Sequence, residues 1–185
     1  MRQTSTSSHY DRVTITLHWL TALDVIFLFA SFQIWSRLAR GTPLRHSLQS
    51  WHISFGILLA LLMIARIVWR ASKGRRLPPA TPSRALHIGA KAVHGLLYLM
   101  LIVQVVLGFL FRWAQGEEFA FFGFGDLSDL IYVDGSLRHL LGTLHAYNAW
   151  GIIVLAGGHA LVALFHHYAL KDPTLRRMIP GLKIR

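Results

Sequence analysis

The sequence predicts an all-α membrane protein, a bundle of four transmembrane helices. Of its 185 residues, 54% are hydrophobic and only 15% are charged, which is more apolar than an ordinary soluble domain. The apolar residues gather in four runs, each long enough to cross a hydrocarbon core of ~30 Å as a helix. Basic residues concentrate between and after these runs, in the asymmetric way that orients membrane proteins.

The four predicted spans run from about residue 13 to 35, 50 to 69, 88 to 111 and 141 to 168. Lipid offers no hydrogen-bond partners, so the backbone of each span must be helical. We expect one domain over residues 1–185. The chain has no cysteine, which excludes disulfides, cysteine-bound iron–sulfur clusters and c-type haem. No apolar stretch precedes the first span, so we expect no cleavable signal peptide.

The charge pattern predicts that both termini and the middle loop face the cytoplasm, because basic segments stay inside. The connection between spans three and four is acidic and would lie outside. We interpret the net charge of +11 as a topology signal and as contact with anionic lipid, not with nucleic acid. The basic residues of the middle loop and tail are Arg70, Lys73, Arg75, Arg76, Arg84, Lys171, Arg176, Arg177, Lys183 and Arg185, and the loop also holds Pro78, Pro79 and Pro82.

The first loop is an exception, because Arg37, Arg40 and Arg45 would lie outside despite their charge. We interpret them as a substrate-steering group that concentrates a small anion. Lipid binding and docking of an acidic partner are the alternatives. The aromatic-rich stretch 119–125, in the acidic connection, is too short to span. It is either an interfacial anchor or a cap over the outer end of the bundle.

Four intramembrane histidines form the candidate site: His18, His52, His145 and His159. Polar side chains inside a span are costly and tend to be functional. His145 and His159 are 14 residues apart, which corresponds to about 21 Å of helix rise and lies within about 40° of whole turns. Both rings therefore share one face of the fourth span, with one ring near each membrane surface.

The predicted orientation then pairs His18 with His159 on the cytoplasmic side and His52 with His145 on the outer side. Each pair offers two imidazoles at one depth, as in a six-coordinate haem suited to electron transfer. Zinc would need three or four ligands at one depth, and helix–helix hydrogen bonds are the remaining alternative. The predicted fold class is thus a four-helix transmembrane bundle enclosing two b-type haems, with these histidines as iron ligands.

Several other residues within the spans each allow two interpretations. His94 either lines a haem or bonds a quinone carbonyl. His166 and His167 lie either at the water interface or against a haem propionate or quinone. Gly56 leaves room either for a porphyrin face or for a helix contact. Asp24, halfway along span one, either carries protons or bonds a neighbouring helix.

Motifs along nearly the whole chain carry a family resemblance. They are Tyr10-Asp11-Arg12 leading to His18-Trp19-Leu20, His52 with Ser54 and Gly56, His94-Gly95-Leu96-Leu97-Tyr98, His145, His159, His166-His167-Tyr168, Lys171-Asp172 and Leu175-Arg176-Arg177-Met178. In these motifs the chain resembles the prokaryotic cytochrome b561 family, which includes the superoxide oxidases. The C-terminal motif is the most specific, because spacing alone would not predict it.

The resemblance implies a diheme cytochrome b of the bacterial inner membrane, with the family's four ligand positions at His18, His52, His145 and His159. It also implies electron exchange with ubiquinone, with superoxide as the donor. Asp24 matches no family motif. The alternative is an electron-transfer subunit that links the quinone pool to a protein partner, such as a periplasmic cytochrome. A non-redox haem sensor is disfavoured, because a doubly ligated iron has no open site.

Overall fold

The computed structural model describes residues 9–74, 77–78 and 84–182. Within them, four long helices account for most of the chain, and each is long and apolar enough to cross a membrane. The predicted four-helix bundle is therefore confirmed. In chain order, the helices are α1 (Arg12–Trp35), α2 (Pro43–Ser72), α3 (Arg84–Gln115) and α4 (Arg138–Tyr168), with single 3-10 turns at Gly135–Leu137 and Leu175–Arg177.

The helices extend beyond most of the predicted spans, because hydropathy marks only the lipid-facing part of each helix. At the start of α2, Pro43 occupies the first turn, where its missing N–H has no helical acceptor. The start of α1 is capped by Asp11, whose carboxylate accepts from the backbone N–H of Thr14 at 2.9 Å and from its hydroxyl at 2.7 Å.

A short antiparallel β-hairpin interrupts the connection between α3 and α4, with β1 at Ala120–Phe121 and β2 at Phe124–Asp126. The helical prediction did not include it. Its turn uses positive φ angles at Phe122 (50°) and Gly123 (83°). Ser54 of α2 holds it, since the Ser54 hydroxyl accepts from the Phe122 N–H at 3.0 Å and donates to the Ala120 carbonyl at 3.5 Å. The aromatic stretch thus lies against α2, close to His52.

The bundle consists of two helix pairs, because α1 packs along α2 and α3 packs along α4, while α2 and α3 approach each other less closely. Few large apolar side chains are buried, among them Leu59, Met63 and Ile152. Many others are open, such as Val154 at 71% exposure, as expected for helices that face lipid. An ordinary bundle fills its centre with apolar side chains. Here imidazole rings face each other between the pairs.

Both termini lie at one end of the bundle. The backbone N–H of Tyr10 donates to the Arg177 carbonyl at 3.2 Å, and His9 Nδ1 lies 3.2 Å from the Arg176 carbonyl. We call this the terminal end, and the opposite end, with the α1–α2 connection and the β-hairpin, the loop end. Some residues of the predicted basic segments lie outside the described residues, namely Arg75, Arg76, Pro79, Pro82, Lys183 and Arg185.

Candidate functional site

At the terminal end, His18 of α1 faces His159 of α4. Their ring centroids are 6.5 Å apart, with the ring planes at 78°. A third imidazole, His94 of α3, lies beside them with its centroid 5.1 Å from that of His159. The structure therefore brings the predicted pair together and adds a neighbour from α3.

At the loop end, His52 of α2 faces His145 of α4, with centroids 6.3 Å apart and ring planes at 72°. Nδ1 of His52 lies 3.0 Å from the Leu28 carbonyl and 3.2 Å from the Ser31 hydroxyl. Because a carbonyl oxygen only accepts, Nδ1 must carry the proton, which leaves Nε2 of His52 with a free lone pair. This is the tautomer that binds a metal through Nε2.

Both separations fit a metal ion held between the two rings. Two metal–imidazole bonds of 2.0–2.1 Å, with ring radii near 1.1 Å, place the centroids about 6.3 Å apart. Next to the loop-end pair, a Cβ added at Gly56, one turn after His52, would meet no atom within 4 Å, which leaves open space on that face of the ring pair. The side chains present therefore fit a flat cofactor ligated on both faces, at two levels about 21 Å apart along α4.

A hydrogen-bond relay behind His145 was not found from the sequence. The Asn148 side-chain nitrogen donates to the Met100 carbonyl at 2.9 Å and to Oε1 of Gln104 at 2.8 Å. The Met100 carbonyl can only accept, which fixes the orientation of both amides. Nε2 of Gln104, 3.1 Å from Nε2 of His145, is then the donor. The relay thus keeps the proton on Nδ1 of His145; two amides inside apolar spans were the available signal.

Arg66 was also missed, although an arginine within a span is a strong functional signal. Its Nε donates to the Tyr98 hydroxyl at 3.2 Å, and its guanidinium carbon lies 5.2 Å from the centre of that ring. A second nitrogen donates to the Leu17 carbonyl at 3.4 Å, one residue before His18. A small cavity, partly open to the surface, adjoins it and is lined by Thr14, Leu17, Arg66, Trp69, Arg70 and Tyr98.

His166 and His167 are buried at the end of α4. Nδ1 of His166 bonds to the Asp172 carboxylate, and the Thr174 backbone N–H donates to the same carboxylate at 2.8 Å. Partial burial raises the pKa of Asp172, but the hydrogen bonds from Thr174 and His166 outweigh it and leave the pKa below its usual value. The pair therefore fastens the tail to the end of α4.

The three arginines of the first loop differ in their surroundings. Arg37 and Arg40 are exposed, and the Arg37 guanidinium bonds a carbonyl within α1. Arg45 is partly buried and donates to the carbonyls of Trp35 at 2.7 Å and Leu38 at 3.0 Å. Those carbonyls belong to the end of α1 and the turn after it, so Arg45 has a structural task.

The loop end also carries fixed negative charge. The side chain and the backbone N–H of Ser128 donate hydrogen bonds to the Asp126 carboxylate. The backbone N–H and the side chain of Ser136 donate hydrogen bonds to the Asp134 carboxylate. These hydrogen bonds lower the pKa of both carboxyl groups, which are fully exposed. Glu117 pairs with Arg112 at 3.0 Å. The loop end therefore presents both signs of charge at neutral pH.

A family model for prokaryotic cytochrome b561 matches residues 9–181. The chain belongs to the prokaryotic cytochrome b561 family. It is 32% identical over 179 residues to cytochrome b561 homolog 2 of Escherichia coli K12, covering 97% of this chain and 95% of that protein. It is 32% identical to the probable superoxide oxidase CybB of Yersinia pestis, covering 92% and 96%. It is 29% identical to cytochrome b562 of Cereibacter sphaeroides, covering 92% and 94%.

Membership confirms the resemblance predicted from the motifs. The protein is a membrane cytochrome b that transfers electrons, and its family implies b-type haem. The four helices that can span a membrane agree with this class. The facing imidazoles lie where such a bundle can hold its cofactor.

Proposed function

We propose that this protein carries electrons across the bacterial inner membrane by means of two b-type haems. His18 and His159 are the proposed ligands of one iron, and His52 and His145 of the other. The observation that carries the proposal is the spacing of the two ring pairs, 6.5 and 6.3 Å. A haem ligated by two histidines supplies one-electron transfer without an open position on the iron.

The chain orients its loop-end ligands by hydrogen bonds. The Leu28 carbonyl and the Ser31 hydroxyl hold His52 from α1, and Gln104 holds His145 from α3. On His52 the lone pair of Nε2 is free, and partners on the opposite nitrogen raise the retention of a bound metal. On His145 the lone pair of Nε2 accepts from Gln104, so an iron bound there would take the place of this hydrogen bond.

The proposed topology places the terminal end in the cytoplasm, so that both chain termini are inside. Its support is the charge near that end, where Arg70, Lys171, Arg176 and Arg177 lie. The loop end then faces the periplasm. A fusion reporter attached after Arg185 tests this assignment, and activity only in the periplasm would contradict it.

We propose superoxide as the electron donor at the loop end and ubiquinone as the acceptor. Each superoxide gives up one electron and becomes dioxygen, while ubiquinone takes two electrons and two protons to become ubiquinol. Arg37 and Arg40 are exposed at the same end as His52, where they attract a small anion. The likeness to a probable superoxide oxidase supports this donor.

The quinone site is proposed for the terminal end. There the Tyr98 hydroxyl, Arg66 and His94 supply polar groups close to the cavity and the His159 ring. Ubiquinone is neutral and needs hydrogen-bond donors for its carbonyls. Protons from the adjacent aqueous phase are then available for its reduction.

A protein partner is the second candidate donor or acceptor. The loop end carries ionised Asp126 and Asp134 beside exposed Arg37 and Arg40, and mixed charges suit docking of a complementary protein surface.

Rapid mixing of superoxide with the purified, oxidised protein tests the donor. We expect the absorption spectrum of reduced haem to appear, and addition of superoxide dismutase to prevent it. Subsequent addition of a short-chain ubiquinone should restore the oxidised spectrum. If superoxide does not reduce the haem-loaded protein but a soluble periplasmic redox protein does, the partner role is favoured.

A further inference from the structure

Asp24 lies midway along α1 and is only 5% exposed. Both of its carboxyl oxygens are buried, and within the described part of the chain neither has a hydrogen-bond partner. An acid in this position costs folding free energy, because an unpaired polar group in apolar surroundings loses its hydrogen bonds with water. The helix–helix hydrogen bond considered for Asp24 from the sequence is therefore not made by the described residues.

The neighbouring helix offers Asp24 no polar group at its level. Arg66 bonds the Leu17 carbonyl and His52 bonds the Leu28 carbonyl, which sets the antiparallel register of α1 and α2. This register places Asp24 level with about residue 57 of α2. Residues 55–63 of α2 have no polar side chain.

The charged and titratable groups nearest to Asp24 in the register lie above and below it. On α1 itself, no other ionisable residue stands between His18 and Arg37, and α2 has none between His52 and Arg66. Along the axis of α1, Asp24 lies about 9 Å from His18, a proposed ligand at the terminal end. It lies about 10 Å from Ser31, which contacts His52, a proposed ligand at the loop end. The groups contributed by α3 and α4 are His94, Tyr98, His145, Tyr147 and His159.

A row of polar side chains leads from the terminal end to Asp24. Thr14, Thr21 and Asp24 share one face of α1, since they are spaced by seven and three residues. Thr14 and Leu17 line the terminal-end cavity. The buried Thr21 hydroxyl donates to the Leu17 carbonyl at 2.7 Å, and Asp24 lies one turn further along. The row continues past Asp24 to Ser31.

We propose that Asp24 is a proton-binding site, filled from the terminal-end cavity past Thr21 when the protein accepts an electron and emptied when the electron leaves. The carboxylate plus one proton gives the neutral acid, and no electron passes through Asp24. Reduction adds negative charge to an interior where Coulomb interactions are weakly screened. The carboxyl group therefore holds a proton more firmly in the reduced protein. The inference rests on the proposed haem pair, but not on the proposed donor or acceptor.

Proton uptake on reduction is the direct measurement. The purified, haem-loaded protein is reduced at an electrode in weakly buffered solution that contains a pH indicator. We expect the wild type to take up protons and Asp24→Asn to lose most of that uptake. Asp129→Asn, an acid exposed at the loop end, is the matched control and should keep the wild-type uptake.

Infrared difference spectra identify the group itself. The reduced-minus-oxidised spectrum of the wild type should contain a new band of a protonated carboxyl group, which Asp24→Asn abolishes and Asp24→Glu shifts. Thr21→Val should slow the uptake without reducing its extent, whereas Thr143→Val on α4 should do neither.

Two results would overturn the proposal: a haem-loaded wild type without proton uptake, or an Asp24→Asn protein with full uptake and an unchanged infrared spectrum. If Asp24→Asn does not fold, Asp24→Glu serves as the test: a shifted carboxyl band assigns the band to residue 24, and an unshifted band refutes the assignment. A protein that takes up protons on electrochemical reduction but is not reduced by superoxide would refute the proposed donor alone.

Discussion

The rings of His52 and His145 face each other across the loop end with centroids 6.3 Å apart, and each is oriented from a different helix. The Leu28 carbonyl accepts from Nδ1 of His52, whereas Gln104 donates to Nε2 of His145. In both rings the proton is therefore on Nδ1. Both rings therefore have the tautomer that an iron centre requires. The lone pair of Nε2 is free on His52, whereas on His145 it accepts the hydrogen bond from Gln104.

Replacement of His145 should remove one haem and leave the other. We expect His145→Ala to carry about half the haem of the wild type, because the terminal-end pair lies about 21 Å away along α4. Haem content per chain and the low-spin absorption spectrum measure this. His139→Ala, a change at an exposed histidine on the same helix, should keep the full content. A His145→Ala protein with both haems would refute the pairing.

Loss of the relay should weaken the loop-end site selectively. Gln104→Leu removes the donor to His145 and leaves the Asn148 amide with one acceptor fewer. Without this donor the proton of His145 is no longer held on Nδ1, so we expect faster haem loss and a shifted midpoint potential at this site only. Gln115→Leu, on the same helix but in contact with Arg112, is the control. Equal behaviour of the two variants would contradict the relay.

Reversal of the exposed charges should slow reduction by superoxide. Arg37→Glu combined with Arg40→Glu should lower the rate by about 10-fold at low salt and flatten or invert its salt dependence. Arg45 is left intact, since it bonds the carbonyls that end α1. Stopped-flow reduction at several ionic strengths measures the effect.

Electron transfer to neutral ubiquinone should hardly change in this double variant. A matched control reverses Arg84 and Lys91, two exposed cations of α3 near the terminal end, and should leave the superoxide rate unaltered. An unchanged rate and salt slope in the loop variant, with haem content intact, would reject steering by these residues.

The tail should loosen when Asp172 loses its charge. The pKa of Asp172 is lower in the folded protein than its usual value, so its contribution is fully present above a pH of about 3.9 and fades as the pH falls towards the folded-state value. The protection of amides in the chain after α4, expressed as the intrinsic exchange rate divided by the observed rate at each pH, should therefore stay constant from pH 5 to 8 and fall in stronger acid.

Asp172→Asn should show less protection from exchange than the wild type at pH 5 to 8, match it in strong acid and lack the acid-dependent step, because its neutral amide cannot pair as an anion with His166. Asp129→Asn should follow the wild type. Equal protection of the tail in Asp172→Asn and wild type would show that the His166 contact does not hold it.

The helices and the paired histidines could be predicted from the sequence because both follow from local rules. Lipid requires each apolar run to satisfy its own backbone, so run length alone indicates a helix. The 14-residue spacing of His145 and His159 sets their common face by helix geometry. The β-hairpin did not follow, because it depends on Ser54, a residue of another helix, for its hydrogen bonds.

Which side chains support the site depends on how helices distant in sequence face one another. In the sequence, Gln104 and Asn148 are two amides with no visible relation. The packing of α3 against α4 brings them together, and the Met100 carbonyl then orients both. Asp24 is an intramembrane acid in the sequence, with a helix–helix bond as one expectation. The antiparallel register of α1 and α2 sets it beside apolar side chains, and the burial of both its oxygens without a partner among the described residues is a property of that packing.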